Sequence, residues 1–185
     1  MSKPSAKQIA EWKSSFGNLF LIKIEDEELY LKDPYTDEGI IKLAISAARA
    51  GGMVQYTLAI VNNCLIHGNR NILNDVGSIE AIRKQIAEVV EPPITEVVKK
   101  DDQFEISSEG VRLEFRLPTR EDLIVSESRN PGGMPLETEI ALLRLCAIDL
   151  DKFDDARKSN TRAWLGIVLE ANAIKEEKRA TVVKL

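Results

Sequence analysis

Cys64 and His67 stand three residues apart, so one helix end could present a thiol and an imidazole together. Thiol catalysis would need a lowered thiol pKa and a partner that orients the base. Zinc would need about two further ligands. His67 is the only histidine of the chain, and the second cysteine, Cys146, has none beside it. The pattern predicts buried, reduced, structural thiols. Asp149, Asp151, Asp154 and Asp155 invite a calcium reading, but an EF-hand loop opened at Asp149 would need glycine where Asp154 stands and glutamate where Asn160 stands. Phe153 also occupies a ligand position, which leaves a solvated acidic loop capping the next helix as the expectation. Gly51-Gly52-Met53 and Gly132-Gly133-Met134 could cradle an anion with backbone amides. Neither has the Lys-Ser/Thr of a P-loop or a G-x-G-x-x-G spacing, so both read as turns between helices, with methionine filling an irregular gap. The carboxylates from Glu25 to Glu28, Asp37-Glu38 and Glu121-Asp122 belong to a hairpin tip and to helix starts, in water. The sequence thus predicts no catalytic residue, no metal site and no cofactor, and a protein that is not an enzyme.

The elements that place these residues read as follows. Ser5 caps a helix to Phe16 whose Ile9, Trp12 and Phe16 fall on one stripe, either core or a surface that docks a partner. Residues 19–25 and 28–32 form a hairpin. Pro34 ends it, and Thr36 caps a helix that runs to Ala50, where Gly51-Gly52 closes it. A second helix spans 54–66, residues 67–77 are a loop, and Ser78 caps a third helix that Pro92-Pro93 stops. Residues 94–103 are a polar bridge. Beyond it, residues 104–107 and 111–117 make a second hairpin, in which Val111, Leu113, Phe115 and Leu117 alternate with Arg112, Glu114 and Arg116. Thr119 caps the next helix, Pro135 opens another, and a long helix covers 159–179 with Trp164, Val168 and Ala171 inward.

These elements repeat. Strand, proline, acidic helix start, Gly-Gly-Met and an apolar helix ending in cysteine occur twice in the same order. The interval from Pro34 to Met53 is 19 residues and from Pro118 to Met134 is 16; from methionine to cysteine it is 11 and 12. The expected fold is α+β, in two tandem repeats, each a β-hairpin followed by about three helices. The first repeat with its N-terminal helix occupies 1–93, the linker 94–103 and the second repeat 104–185. A unit of that size buries little surface alone.

Composition limits function. The 185 residues carry a net charge of −5, with 10 Lys and Arg against 12 Asp and Glu through Pro93 and 15 against 18 after it. Neither half is basic, which argues against nucleic acid as a partner. No apolar run reaches the ~18 residues a membrane helix needs. The N-terminus lacks a signal-peptide core, and two cysteines make no disulfide framework. A cytosolic protein is expected.

Trp12-Lys13-Ser14-Ser15-Phe16-Gly17-Asn18-Leu19-Phe20, the strand ending Leu29-Tyr30-Leu31-Lys32-Asp33-Pro34, the Ala-rich helix to Ala50 and the Asn62-Asn63-Cys64 helix end form a set. This set resembles small proteins encoded among tail genes of tailed bacteriophages, particularly those of Bacteroidetes hosts. The run Phe115-Arg116-Leu117-Pro118-Thr119-Arg120-Glu121-Asp122 is similar to the opening of tail assembly chaperones. The resemblance covers residues 10–90 and, more loosely, 104–148. It implies a non-enzymatic chaperone in the host cytoplasm that binds a tape measure or other tail protein through apolar surfaces, with a homo-oligomer as a further option. Ile9, Trp12, Phe16, Met53 and Met134 are the residues expected to meet that partner. Family members usually carry one unit, so the duplication leaves open a structural subunit of the virion, in a baseplate, connector or neck.

Overall fold

The computed structural model describes residues 3–170, and it is α+β, with two three-stranded antiparallel sheets and seven helices among those residues. The chain divides into two compact units, Met1–Pro92 and Pro93–Leu185.

In the first unit, α1 (Ala6–Phe16) begins with a capping box in which Ser5 and Gln8 satisfy each other's backbone amides. Strands β1 (Leu19–Ile24) and β2 (Glu27–Lys32) pair antiparallel from Leu19↔Lys32 to Ile24↔Glu27, across a turn at Glu25-Asp26. Asp33 caps a single 3-10 turn at Pro34–Thr36, and Asp37, not Thr36, caps α2 (Glu38–Cys64). The expected break at the glycine pair is present: α2 is two helical segments joined by a kink at Gly51 and Gly52, whose torsion angles are not helical, and the second segment ends at Cys64 rather than at 66. Gly52 has φ 73 and ψ −166, a backbone state that L-residues with a Cβ essentially do not occupy. A short strand, β3 (Leu65–His67), follows at once and pairs with β2 through Tyr30↔His67 and Leu31↔Leu65, across a bulge. The expected loop at 67–77 therefore holds the end of β3 and a 3-10 segment, Arg70–Asn74. Helix α3 (Val76–Val89) is capped by the Asp75 side chain, which accepts from the Ser78 amide; Ser78 lies inside the helix. Strand β2 is central and is covered on both faces. Leu29 and Leu31 join Ile22, Ile40, Ile60, Val61, Cys64, Ile82 and Ile86 in the core, while Tyr30 faces the other way, toward Trp12.

The second unit opens with a strand where the linker was expected. Strand β4 (Thr95–Lys100) pairs with β5 (Gln103–Ser108), which pairs with β6 (Val111–Arg116). The polar composition of 94–103 hid this strand, because β4 sits at a sheet edge and residues 96–100 stay exposed. Glu109 and Gly110 both take positive φ, as a two-residue hairpin turn requires. Thr119 and Asp122 form a capping box for α4 (Arg120–Ser128). Helix α5 (Glu137–Cys146) starts after Leu136, so Pro135 precedes it and does not occupy its first turn. The expected acidic loop is helix α6 (Leu150–Ser159), with Asp149 as its cap and Phe153 buried. Phe153 meets Phe115 edge-on at 6.3 Å and Trp164 at 5.8 Å between ring centroids. Helix α7 (Thr161–Leu169) buries its residues 163–168 against β5 and its neighbours. The expected continuation of that helix to 179, including Ala171, lies outside the described residues.

The two units are wired differently. The first takes its third strand from after the kinked helix, the second from before its hairpin. They share one pairing: Leu31 with Leu65 and Phe115 with Ala147, each partner being the residue after a cysteine.

The charged face of β6 is tied down by Arg116, which donates to Asp122 at 2.6 and 2.9 Å and to the Leu145 carbonyl at 3.0 Å. That guanidinium, with the Thr119 hydroxyl and amide, holds the Asp122 carboxyl below the usual carboxylate range. The folded pKa lies under the unfolded one, so this stabilisation is complete above the ordinary carboxylate range and is lost progressively as pH falls from that range toward the folded value. Asp122→Asn should cost about 2 kcal/mol at neutral pH and flatten the loss of stability on acidification, measured by urea unfolding from pH 7 to pH 3. Phe115→Asp, which puts a carboxylate among buried rings, should cost about 4 kcal/mol or more. An unchanged melting temperature would refute the strand register.

Candidate partner-binding surfaces

The two cysteines both lie at buried helix ends. Cys64 closes α2 with 1% exposure, and Cys146 closes α5 with none. Burial pushes the Cys64 thiol up to about 12 and the Cys146 thiol up to about 11, the opposite of what a nucleophile needs. His67 is not brought beside Cys64, because the chain becomes a strand between them and three extended residues send side chains to opposite sides. The His67 ring instead packs with Trp12 at 5.7 Å and Tyr30 at 6.0 Å. Among the described residues, no group of three or more His, Cys, Asp or Glu is placed to hold a metal ion. Nor is any helix there long and apolar enough to cross a membrane.

The expected partner stripe on α1 divides along its length. Trp12 rests on the back face of the first sheet, with its ring 5.8 Å from Tyr30, and Ile9 is half-buried beside it in sequence register. Phe16, at the end of the helix, keeps 36% of its surface exposed. No residue of α1 is fully buried. Two polar contacts anchor this region. Lys3 reaches Glu28 at 3.1 Å, and the Tyr30 hydroxyl donates to the same carboxylate at 3.0 Å. The hydrogen bonds from Lys3 and Tyr30 hold Glu28 below its ordinary pKa; burial, then the Glu28 contact, raises the Tyr30 phenol. The N-terminal helix is therefore held by one indole and a small polar cluster, not by a deep apolar seam.

Met53 and Met134 overturn the gap-filling expectation. They are 51% and 54% exposed, each just beyond a glycine of positive φ, Gly52 and Gly133. The glycines turn the backbone so sharply that the following side chain is thrown outward rather than onto the core. Thioethers held in water this way suit contact with varied apolar partners, since the side chain is flexible and polarizable. Sequence spacing missed other exposed apolar groups, among them Leu43, Ile124 and Val98, because periodicity marks helix and strand faces but not which face stays open. A depression of about 310 Å³ in the first unit is lined by the carboxylates Glu25, Asp26, Glu27 and Asp75 together with Ile24 and Ile72.

Comparison with family models, with curated proteins and with solved structures finds no match for the chain. The surfaces must be read on their own chemistry.

With both thiols protonated and buried, a water-soluble disulfide reagent at pH 8 should label neither in the native protein and both in denaturant. Cys64→Ser should lower stability by about 1–3 kcal/mol, through a polar hydroxyl in an apolar site, and leave partner binding unchanged. Rapid native labelling of Cys64 would overturn this assignment.

Proposed function

We propose that the protein is a non-enzymatic tail assembly chaperone of a tailed bacteriophage, which holds the tape measure protein through apolar surfaces on its two units. The observation that carries this reading is the pair of exposed methionines, each at a Gly-Gly turn and each joined to a unit with its own core, in a chain of net charge −5. A long, amphipathic, helical client needs apolar contacts that are adaptable and an escort whose remaining surface is charged. Two weak sites on one chain strengthen each other through effective concentration. The resemblance of residues 10–90 to tail-gene products supplies the client class. Host cytoplasm is the compartment this role requires, and neither nucleic acid nor membrane is a partner in it.

A second reading, a structural virion subunit in a baseplate, connector or neck, draws on the shared pairing of Leu31 with Leu65 and Phe115 with Ala147. Two compact modules in one chain also suit a permanent assembly.

Co-expression with the tape measure protein of the same tail gene cluster should yield a soluble complex, while mass spectrometry of purified particles finds none of this chain. Met53→Ser and Met134→Ser together should weaken capture by about tenfold or more, and Phe16→Ser should add to the loss. Failure to capture or solubilise the tape measure would sink the chaperone reading. A fixed copy number in particles would establish the structural one.

A further inference from the structure

The outer edge of the second sheet carries, on its charged face, one acid and one base of β4 that lie two residues either side of Val98. Strand β4 pairs only with β5 among the described residues, so alternate backbone amides and carbonyls of its other side point outward. It contains no proline, and Val97 and Val98 are 38% and 44% exposed. On the charged face, Arg112 of β6 lies 3.1 Å from Glu105 of β5, and Lys100 of β4 lies 2.6 Å from the same carboxylate. Lys100 and Arg112 thus both meet Glu105, and the row through these three residues from β6 outward reads plus, minus, plus. Glu96, on the same face of β4, has no cation within ion-pair distance among the described residues. The Lys99 ammonium lies on the opposite face, 5.7 Å from the Phe104 ring centre.

We propose that the β4 edge pairs with the β4 edge of a second copy of this chain, antiparallel and centred on Val98, to form a continuous six-stranded sheet. A two-fold axis perpendicular to the sheet keeps each face on its own side, which requires that opposed residues have the same parity. Centred on Val98, this register sets Val98 against Val98 of the second copy, Val97 against Lys99, and Glu96 against Lys100, twice by symmetry. Each Lys100 then lies between Glu105 of its own sheet and Glu96 of the other copy, which completes the alternating row. Opposite charges directly across an antiparallel pair stabilise it, and like charges oppose it. A single strand pair is a small interface, so the dimer is weak and concentration-dependent.

Sedimentation velocity of the full chain, from about 10 µM to about 1 mM, should show a reversible shift from one chain toward two. Val98→Arg, which sets two guanidinium groups face to face on the axis, should abolish the shift. Glu96→Lys should weaken association by about tenfold or more, because it faces Lys100 with a like charge. Glu88→Lys, the same charge change on the exposed side of α3, should leave it intact. Circular dichroism melts of all variants should match the parent, since each position is exposed. A parent that stays monomeric throughout overturns the proposal and makes the edge lysines guards against pairing. A dimer that ignores Val98→Arg and Glu96→Lys, or responds equally to Glu88→Lys, overturns the register and the surface.

Discussion

Each unit depends on one return of the chain to its starting strand. Leu31 pairs with Leu65 after 34 residues, and Phe115 with Ala147 after 32. Between these points lies a proline that ends the strand, and then helices that cannot stay over the sheet unless their far end is fastened. The cysteine just before each return residue is buried because it marks the spot where helix meets strand. Closing such a loop costs entropy, and the cost is recovered only when the apolar residues within it pack together. In the first unit Ile40, Ile60 and Val61 provide that packing, with α3 covering the rest.

Much of this was legible in the sequence, for identifiable reasons. Period-2 alternation at Val111–Arg116 and the capping residues Ser5 and Thr119 act locally, so residue type alone placed them. The α+β class followed from the same signals. The misreadings were non-local. Thr95–Lys100 looked like a bridge because an edge strand with exposed faces has no apolar period to show. Leu150–Ser159 looked like a loop because its composition is dominated by charge, while only Phe153 and Ala156 are buried in it. Three residues after Cys64 could not announce themselves as a strand, since pairing with β2 is what makes them one.

The surfaces were harder still. Trp12, Phe16 and the two methionines were identifiable as unusual, but whether they face inward depends on what lies opposite. Tyr30 and His67 settle the matter for Trp12, and two glycine turns settle it outward for Met53 and Met134. Apolar exposure thus falls both at corners, as at Met53 and Met134, and on element faces, as at Leu43, Val98 and Ile124.

The bend at Gly52 has one more consequence. A straight helix of 27 residues would run about 40 Å, well past a small sheet, and would carry Ile60, Val61 and Cys64 away from the core they now fill. Yet beyond its own chain neighbours and the adjacent helix backbone, nothing lies within 4 Å of where a Cβ on Gly52 would stand. Nothing crowds the position; only its torsion angles exclude a side chain. The constraint is therefore one of backbone handedness, and an L-residue there must either bear the strain of a positive φ or leave the torsion angles that make the corner.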